Sequence, residues 1–441
     1  MSAHPAPFSA VRSPTAWLLT LAIVLVGLNL RGPIVATAPV LDTIKSDLGL
    51  GAVVAGLLTS IPVLCFAIAS PAASALIARL GPERAVTIGL LGVVLGTLLR
   101  SVGSQGWLVA GTIVIGVSIT VGNVVLPVVI RRDYSPERVG IITGVYTSAL
   151  NVGSMLTSIG TAPLAGVVGW PLALAIWGLL AVIAGVVWAV AVGPRTAFFG
   201  TGQPPVSPAT LRTGPLEVIT ASIPVVRTVS IGQDDPFDPN AHVDRSLLRR
   251  ATTWGLTLAF AGQAFGYYGI TAWMPTLLHD EVGLTRAGAG ASSSVFQIVA
   301  VIGALGVPIL ALRVRPAVII GGISVFWMAM PLGLLFAPGL WFLWSIFGGA
   351  AQGGGITIVF IIIVRMVTTD TEARRLSALV QGGGYALASL GPIVVGAVHD
   401  GSGNWAAPML VVFVAVLVLG VSGVLSSRRI TRPSFRSQPQ T

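Results

Sequence analysis

One arginine lies deep within the first apolar stretch of the chain, and it is the most specific chemical signal in the sequence. Arg31 is embedded in a run of apolar residues that begins near residue 15. A charged arginine near the centre of a bilayer costs about 2.5–3.5 kcal/mol, so this side chain must face a cavity or a partner. Its planar fork of donors suits an anion such as a carboxylate.

The apolar stretches contain no acidic residue that could pair with Arg31. We therefore favour an anionic substrate as its partner. The alternative is structural, because an arginine in this position can also hydrogen-bond helix carbonyls or extend to the outer interface.

Uncharged polar side chains within other apolar stretches are candidates for contact with the same ligand. Gln263 with Tyr267, and Gln381 with Tyr385, are each four residues apart and therefore share a helix face. A polar ring near the bilayer midplane can be formed by Gln297, Gln352, Gln381 and Tyr385 together with Tyr146 and Asn151. The candidate substrate-binding residues are Arg31, Asn29, Asn123, Tyr146, Gln263, Tyr267, Gln297, Gln352, Gln381 and Tyr385. For the amides, packing between helices is the competing interpretation.

Composition identifies the medium in which these residues are positioned. The chain of 441 residues is 54% hydrophobic and 9% charged, with a mean hydropathy of +0.90, whereas a soluble domain carries roughly 25% charged residues. Twelve stretches approach or meet the roughly 20 apolar residues that a transmembrane helix needs. We place these spans at 15–38, 53–78, 85–103, 106–130, 139–163, 170–192, 251–278, 287–312, 316–336, 339–364, 375–398 and 404–425.

Basic residues predict the orientation of the spans. If both termini are cytoplasmic, 21 of the 25 basic residues lie inside, three (Lys45, Arg100 and Arg286) lie outside, and Arg31 lies within span 1. This asymmetry predicts a multi-pass protein of the cell inner (plasma) membrane with cytoplasmic termini. The net charge of +10 therefore reflects topology, and we expect no nucleic-acid partner. We assign Trp273, at the outer end of span 7, to the aromatic belt of that interface.

The spans fall into two halves of six that resemble each other. Trp170 and Trp405, for example, each open the final span of a half. We infer a duplicated six-helix unit whose halves can rock against each other. The predicted division is an N-terminal cytoplasmic tail at 1–14, an N-terminal six-helix bundle at 15–192, a largely disordered cytoplasmic linker at 193–250, a C-terminal bundle at 251–425 and a C-terminal cytoplasmic tail at 426–441.

Four arginines near the cytoplasmic ends of the spans are candidates for gating. They occupy equivalent places in the two halves: Arg131, Arg138, Arg365 and Arg375. One interpretation is that they are topology determinants exposed to water. The other is that the charged loops around them form ion pairs between the halves that latch the outward-open state.

Six segments in a fixed order carry a family resemblance over nearly the whole chain. They are LNLRGPI (28–34), GNVVLPVVIRRDYSPERVGIITGVYTSALN (122–151), AWMP (272–275), SVFQIVAVIGALGVP (294–308), AQGGG (351–355) and LVQGGGYALASLGPIVVGAVHD (379–400). These segments resemble the major facilitator superfamily, and within it the branch of cyanate permeases and nitroimidazole transporters. The resemblance implies an all-α membrane fold of twelve transmembrane helices in two pseudo-symmetric six-helix bundles.

The loop after span 2 departs from that family pattern. It reads ARLGPERAV (78–86), without the central aspartate of the family's G-x-x-x-D-R-x-G-R form. This weakens the transfer of the family's usual gating ion pair to this loop.

These observations favour a secondary transporter that moves a small solute by alternating access. We expect a small anion such as cyanate, or a small polar organic molecule, carried by a monomer in the lipid bilayer. The alternative is an efflux carrier for multiple drugs or nitro-heterocycles. An intramembrane enzyme would need a cluster of catalytic groups within the membrane. The four histidines are scattered along the chain and suggest neither a catalytic centre nor a metal site. We therefore expect no enzymatic activity and no cofactor. Facilitated diffusion, anion exchange and proton symport all stay open.

Overall fold

The computed structural model describes residues 16–200, 247, 249–367 and 370–428, and in these ranges every regular element is helical. The helices follow the order of the predicted spans. Their bounds are, for span 1, Ala16–Asn29, Gly32–Val35 and Leu41–Leu48; span 2, Ala52–Ile68 and Ser70–Leu80; span 3, Pro82–Arg100; span 4, Gln105–Asp133; spans 5 and 6, Pro136–Ile176 and Gly178–Val192; span 7, Ala251–Val282; span 8, Arg286–Ala311; span 9, Pro316–Phe336; span 10, Trp341–Met366; span 11, Asp370–Ala388 and Gly391–Ser402; and span 12, Ala406–Ser427.

The lengths and hydropathies of these helices fit membrane crossing. Among the described residues, nine helices are long and apolar enough to cross a membrane, and the two pieces of span 2, bent by 60°, bring the number to ten. One of the nine, Arg138–Val192, contains both spans 5 and 6. It is interrupted at Gly169, where φ is 79°, a left-handed value that glycine adopts without strain. Span 7 has 32 residues but is not among these nine helices. Its glutamine and two tyrosines make it more polar than the other spans.

Three spans are broken, and each break precedes a proline. Pro33, Pro71 and Pro392 are each the second residue of the helix that follows the break. Proline has no N–H to donate to the carbonyl four residues earlier, and its ring clashes there, whereas its fixed φ suits the first turn of a new helix. The local sequence therefore ends one helix and starts another inside spans 1, 2 and 11.

The two halves repeat one packing scheme, which confirms the predicted duplication. Span 1 packs against spans 5 and 6, and span 7 packs against spans 11 and 12 in the same way. Trp170, which opens span 6, donates its indole N–H to Asp47 at 2.7 Å. Trp405, which opens span 12, donates to Asp280 at 3.0 Å. Each aspartate belongs to the far end of the first span of its half, so the same bond ties the first span to the last in both.

Glycines bring certain helices into backbone contact. A Cβ on Gly153 would overlap the carbonyl of Leu28, and one on Gly353 would overlap that of Ala300. Spans 5 and 1, and spans 10 and 8, therefore approach more closely than larger residues would permit. Small residues serve this purpose in membranes, where helix association depends on close packing.

The halves meet chiefly through spans 2 and 11 and through spans 5 and 8. We name the two ends of the bundle by residues that lie there. The "Lys45 end" carries the connections between spans 1 and 2, 7 and 8, and 11 and 12, and the "Arg132 end" is the opposite one. A short helix, Pro194–Phe199, follows span 6 and packs on spans 3 and 6. The predicted N-terminal tail, most of the predicted linker (201–246 and 248) and most of the C-terminal tail lie outside the described residues.

Candidate substrate-binding site

Span 1 is broken where its arginine stands. The first helix ends at Asn29, Arg31 has φ −129° and ψ −35°, and helix resumes at Gly32. Pro33 cannot donate to the carbonyl of Asn29, four residues earlier. The prediction of a single helix over 15–38 is therefore wrong, because span 1 is broken and its helical pieces continue to Leu48.

Arg31 lies between the two halves. Its Nη1 donates to Oδ1 of Asn151 in span 5 at 3.1 Å. The central carbon of its guanidinium lies 4.9 Å from the ring centroid of Tyr267 in span 7. The residue is nevertheless partly exposed. A partly accessible arginine that touches both halves faces the interface between the bundles and not the lipid.

Four of the five tyrosines in the chain surround this guanidinium. Tyr146, Tyr267, Tyr268 and Tyr385 all lie within electrostatic range of Arg31. The first belongs to the N-terminal half and the other three to the C-terminal half. Ring contacts extend the aromatic wall, since Tyr267 packs edge-on against Tyr268 at 4.8 Å between centroids. Tyr268 is not among the residues predicted from the sequence, although its position beside Tyr267 in span 7 was a signal.

The aromatic wall continues on either side of the tyrosines. Tyr385 packs edge-on against Phe260 at 4.9 Å and against Phe66 at 5.5 Å between centroids, so it joins spans 2, 7 and 11. The ring of Tyr267 is stacked on Phe296 of span 8 at 6.1 Å. The site therefore combines one cation with neutral aromatic surfaces.

No carboxylate of the described residues forms an ion pair with Arg31. The pairs seen in that part of the chain belong to Lys45, Arg132 and Arg250. The guanidinium carries five N–H donors, and one hydrogen bond, to Asn151, engages it among the described residues. Arg31 thus keeps donors for a further partner.

Asn123 and Gln297, two more of the predicted polar residues, are hydrogen-bonded to the tyrosines around Arg31. Tyr146 donates to Oδ1 of Asn123 at 3.4 Å, and Tyr267 donates to Oε1 of Gln297 at 3.2 Å. Gln297 in turn donates to Thr271 at 3.3 Å. The structure therefore gathers spans 1, 4, 5, 7, 8 and 11 around Arg31.

The remaining predicted amides bond elsewhere. Asn29 donates to the carbonyl of Leu25 at 2.8 Å within its own helix, and Gln381 donates to Ser377 at 2.7 Å. Gln263 donates to the backbone carbonyl of Gln352 at 2.7 Å, which joins spans 7 and 10. These contacts fit the packing interpretation, although the Oδ1 of Asn29, the Oε1 of Gln263 and the Nε2 of Gln352 lack a partner among the described residues.

At the Arg132 end, two ion pairs each lie within one half. Glu83 pairs with Arg132 at 2.6 Å in the N-terminal half, and Arg250 pairs with Glu372 in the C-terminal half. Glu83 belongs to the loop ARLGPERAV and is 5% exposed. That loop therefore contributes a buried carboxylate despite the absence of the family's aspartate.

The four predicted gating arginines have different surroundings. Arg365 donates to the carbonyl of Ala311 at 2.7 Å, within the C-terminal half. Arg138 and Arg375 are exposed, and Arg131 is partly buried and makes a contact. The idea that this end latches the outward-open state stays a prediction.

The Lys45 end, in contrast, is joined across the halves. The ammonium of Lys45 lies 3.7 Å from Oδ1 of Asp400 and 5.4 Å from the ring centroid of Trp273. The other carboxylate oxygen of Asp400 accepts from the backbone N–H of Ala52 at 3.0 Å, and Trp273 donates to the carbonyl of Pro392 at 2.8 Å. Trp273 is 1% exposed, so its assignment to the aromatic belt was wrong.

The fold and this arrangement agree with a comparison against known protein families. Residues 18–344 match the model of the Major Facilitator Superfamily. The chain belongs to this superfamily. It is a multi-pass membrane transporter, since members of the family move small molecules across membranes, and the predicted all-α fold of two six-helix bundles is confirmed.

Curated relatives place the transporter within the family. It is 31% identical over 429 residues to the uncharacterized transporter YycB of Bacillus subtilis (strain 168), covering 96% of both chains. It is 29% identical over 416 residues to the 2-nitroimidazole transporter of Escherichia coli (strain K12), covering 93% of this chain and 95% of that one. It is 25% identical over 401 residues to the cyanate transport protein CynX of the same organism, covering 88% and 91%. The predicted branch of the family is therefore confirmed.

Proposed function

We propose that this transporter carries a small anion across the inner membrane by alternating access, and that Arg31 binds the anion. The observation that supports this most directly is a partly exposed guanidinium in a broken helix between the halves, without a carboxylate partner among the described residues. Taking such a charge out of water is costly unless an opposite charge or several hydrogen bonds compensate it. A passing anion supplies both while it is bound.

The surroundings of Arg31 favour a small and flat anion. Aromatic rings from spans 5, 7 and 11 limit the space next to the guanidinium, and tyrosine hydroxyls can donate to a second acceptor atom of the ligand. Cyanate, nitrite and short carboxylates have this chemistry, and the name of one relative, a cyanate transport protein, supports the same class.

Efflux of a nitro-heterocycle is the second candidate. A flat heterocycle can stack on the rings of Tyr267 or Tyr385, while its nitro oxygens accept from Arg31. The name of another relative, a 2-nitroimidazole transporter, supports this alternative.

The proposal includes an orientation and a division of the chain. We infer that both termini are cytoplasmic and that the Lys45 end faces outward, because 21 of 25 basic residues then lie inside. We also propose that the protein works as a monomer. Its two bundles then comprise 15–192 and 251–425, joined by a cytoplasmic linker at 193–250, with tails at 1–14 and 426–441.

A thermal-shift screen of the purified full chain tests this function. The ligands are cyanate, thiocyanate, nitrite, short carboxylates and 2-nitroimidazole, each added to wild type, Arg31→Ala and Arg313→Ala. A ligand at about a hundred times its dissociation constant stabilises the folded state by about 2.7 kcal/mol, so a bound anion raises the melting temperature of the wild type. Arg31→Ala should lose this shift. Arg313 is an exposed arginine near the Arg132 end, so Arg313→Ala should keep it.

Three results would count against the proposal. An anion that stabilises Arg31→Ala as strongly as wild type would remove Arg31 from the site. Stabilisation by 2-nitroimidazole alone would favour the second candidate. No stabilisation by any of these ligands would contradict both.

A further inference from the structure

A second arginine of the N-terminal half is buried in a way that topology does not explain. Arg100 is the last residue of span 3, a position from which a long basic side chain ordinarily reaches water. The distribution of basic residues predicts that Arg100 lies in an outward-facing loop. In the structure it is 1% exposed, so it is not a solvated loop residue.

The guanidinium of Arg100 makes one hydrogen bond, and that bond reaches the broken part of span 1. Its Nη1 donates to the backbone carbonyl of Pro33 at 2.7 Å. Its Nε and Nη2 have no hydrogen-bond partner among the described residues, and no carboxylate there pairs with it. Burying a charge with so little compensation is expensive. The burial of Arg100 therefore destabilises the folded protein. Its position must be explained by a role other than stabilising the fold.

The backbone at Arg100 is held in place by close packing of spans 3 and 4. A Cβ on Gly111 would lie 2.8 Å from the Cα of Arg100, and a Cβ on Gly96 would lie 2.8 Å from the carbonyl oxygen of Gly111. The two helices are in direct backbone contact here. Arg100 therefore extends from a fixed support towards span 1.

Pro33, the acceptor, is two residues beyond Arg31. It lies in the single helical turn Gly32–Val35, which begins directly after the break. A turn this short makes few internal hydrogen bonds and is marginal by itself, and a cation is favourable near the carbonyls where a helical turn ends. The orientation of Arg31 depends on the position of this turn.

We propose that Arg100 is a positioning residue for Arg31. The turn Gly32–Val35 packs on spans 5 and 2. By holding the carbonyl of Pro33, Arg100 ties this turn to the end of span 3 as well, and so aims the Arg31 side chain at the interface between the halves. The inference rests on the proposed role of Arg31 as the anion-binding residue. It adds that the binding geometry is set from span 3, which contributes none of the candidate substrate-binding residues.

Arg100→Met and Arg100→Lys, in the full chain in lipid nanodiscs, test this role. Methionine fills similar space without charge or donor, whereas lysine keeps one charged donor that can reach the same carbonyl. Hydrogen–deuterium exchange of the backbone amides of residues 34–37 measures, without any ligand, how firmly Arg100 holds the turn. Residues 18–27 of the same span serve as the internal reference. We expect Arg100→Met to raise exchange at 34–37 by about tenfold, the effect of one charge-assisted hydrogen bond, and to leave 18–27 unchanged.

Binding and stability give the second readout. Nitrite or cyanate, whichever stabilises the wild type, should bind Arg100→Met about tenfold more weakly, and Arg100→Lys should recover most of the loss. The melting temperature of ligand-free Arg100→Met should stay level or rise, since a buried unpaired charge is removed.

These measurements separate the inference from the proposed function. If neither anion binds the wild type, the proposed function fails, while exchange at 34–37 still decides whether Arg100 holds the turn. Unchanged exchange at 34–37 would overturn the inference. So would faster exchange throughout the N-terminal half with a lower melting temperature, which indicates a role in stability alone. Wild-type anion affinity in Arg100→Met, despite faster exchange, would overturn it as well.

Discussion

Two of the contacts between spans 1 and 7 place a cation of span 1 over an aromatic ring of span 7. In the middle of the bundle, Arg31 lies 4.9 Å from the ring centroid of Tyr267. At the Lys45 end, Lys45 lies 5.4 Å from that of Trp273. The two contacts differ in one respect. Lys45 has a carboxylate, Asp400, at 3.7 Å, and Arg31 has none among the described residues.

This difference assigns the two contacts different tasks. The contact at the Lys45 end contains its own counterion, so it is electrostatically complete and holds the halves together at that end. The middle contact has no carboxylate among the described residues, so the proposed anion would complete it. The residue types agree with this division. Arginine presents several donors in a fixed fork for a ligand, whereas lysine is a compact charge on a flexible stem, and Lys45 is the only lysine in the chain.

The largest predicted change in anion affinity comes from giving Arg31 a counterion within the protein. Asn151→Asp places a carboxylate where the amide oxygen now accepts from Arg31 at 3.1 Å. Two unit charges about 4 Å apart interact by about 4 kcal/mol at an effective dielectric constant of about 20. A fixed pair should therefore weaken binding of nitrite or cyanate by at least about a hundredfold, measured by isothermal titration calorimetry.

Asn151→Ala is the matched control, because it removes the same hydrogen bond without adding a charge. We expect it to weaken anion binding by about tenfold, the lower end of the range for one hydrogen bond with a charged donor. Equal affinities of the Asp and Ala variants would mean that the missing counterion is irrelevant to the site. That result would end the distinction between the two contacts of spans 1 and 7.

The sequence predicted the spans and the buried charge but not the contacts that give the charge its orientation. Hydropathy located the helices, since a span needs only its own residues to be apolar. The break at Arg31 was also local, because Pro33 could have signalled it. The bonds that close the Lys45 end were out of reach, since Asp400 and Ala52 are 348 residues apart in the chain and meet only when the halves pack.

The positions of single residues were predicted less well where two different environments have the same sequence pattern. A tryptophan at the end of a span fits both an interfacial belt and a contact between helices, and Trp273 proved to be the second. Arg100 fitted a loop by its position at the end of span 3. Its partner, the carbonyl of Pro33, is a backbone group, and no side-chain pattern marks it.

A smaller effect is expected from removing the counterion that Lys45 has. Asp400→Asn should weaken the attraction to Lys45 and to the N-terminus of span 2, where the backbone N–H of Ala52 donates to Asp400 at 3.0 Å. An ion pair with this degree of exposure contributes about 0.2–1 kcal/mol, so the population that is open at this end should rise by up to about fivefold. Spin labels at Ser46 and Ser402, both exposed there, with Cys65 replaced by serine, would measure it as a longer-distance peak.

Asp280→Asn is the control for that experiment. Asp280 lies at the same end but bonds Trp405 within the C-terminal half, so its loss should leave the distances between the halves unchanged. If both variants open this end equally, the contact of Lys45 with Asp400 is not specific to closure.

The smallest predicted effect separates the ring of Tyr267 from its hydroxyl. Tyr267→Phe keeps the ring that faces Arg31 and loses only the hydrogen bond to Gln297 at 3.2 Å, so anion affinity should fall by about threefold or less. Tyr267→Leu also removes the cation–π contact, which contributes about 0.5–2 kcal/mol, and should cost more. If Tyr267→Phe were as damaging as Tyr267→Leu, the hydroxyl and not the ring face would be what span 7 contributes. The two cation–aromatic contacts would then no longer be comparable, because the contact of Lys45 with Trp273 involves the ring face.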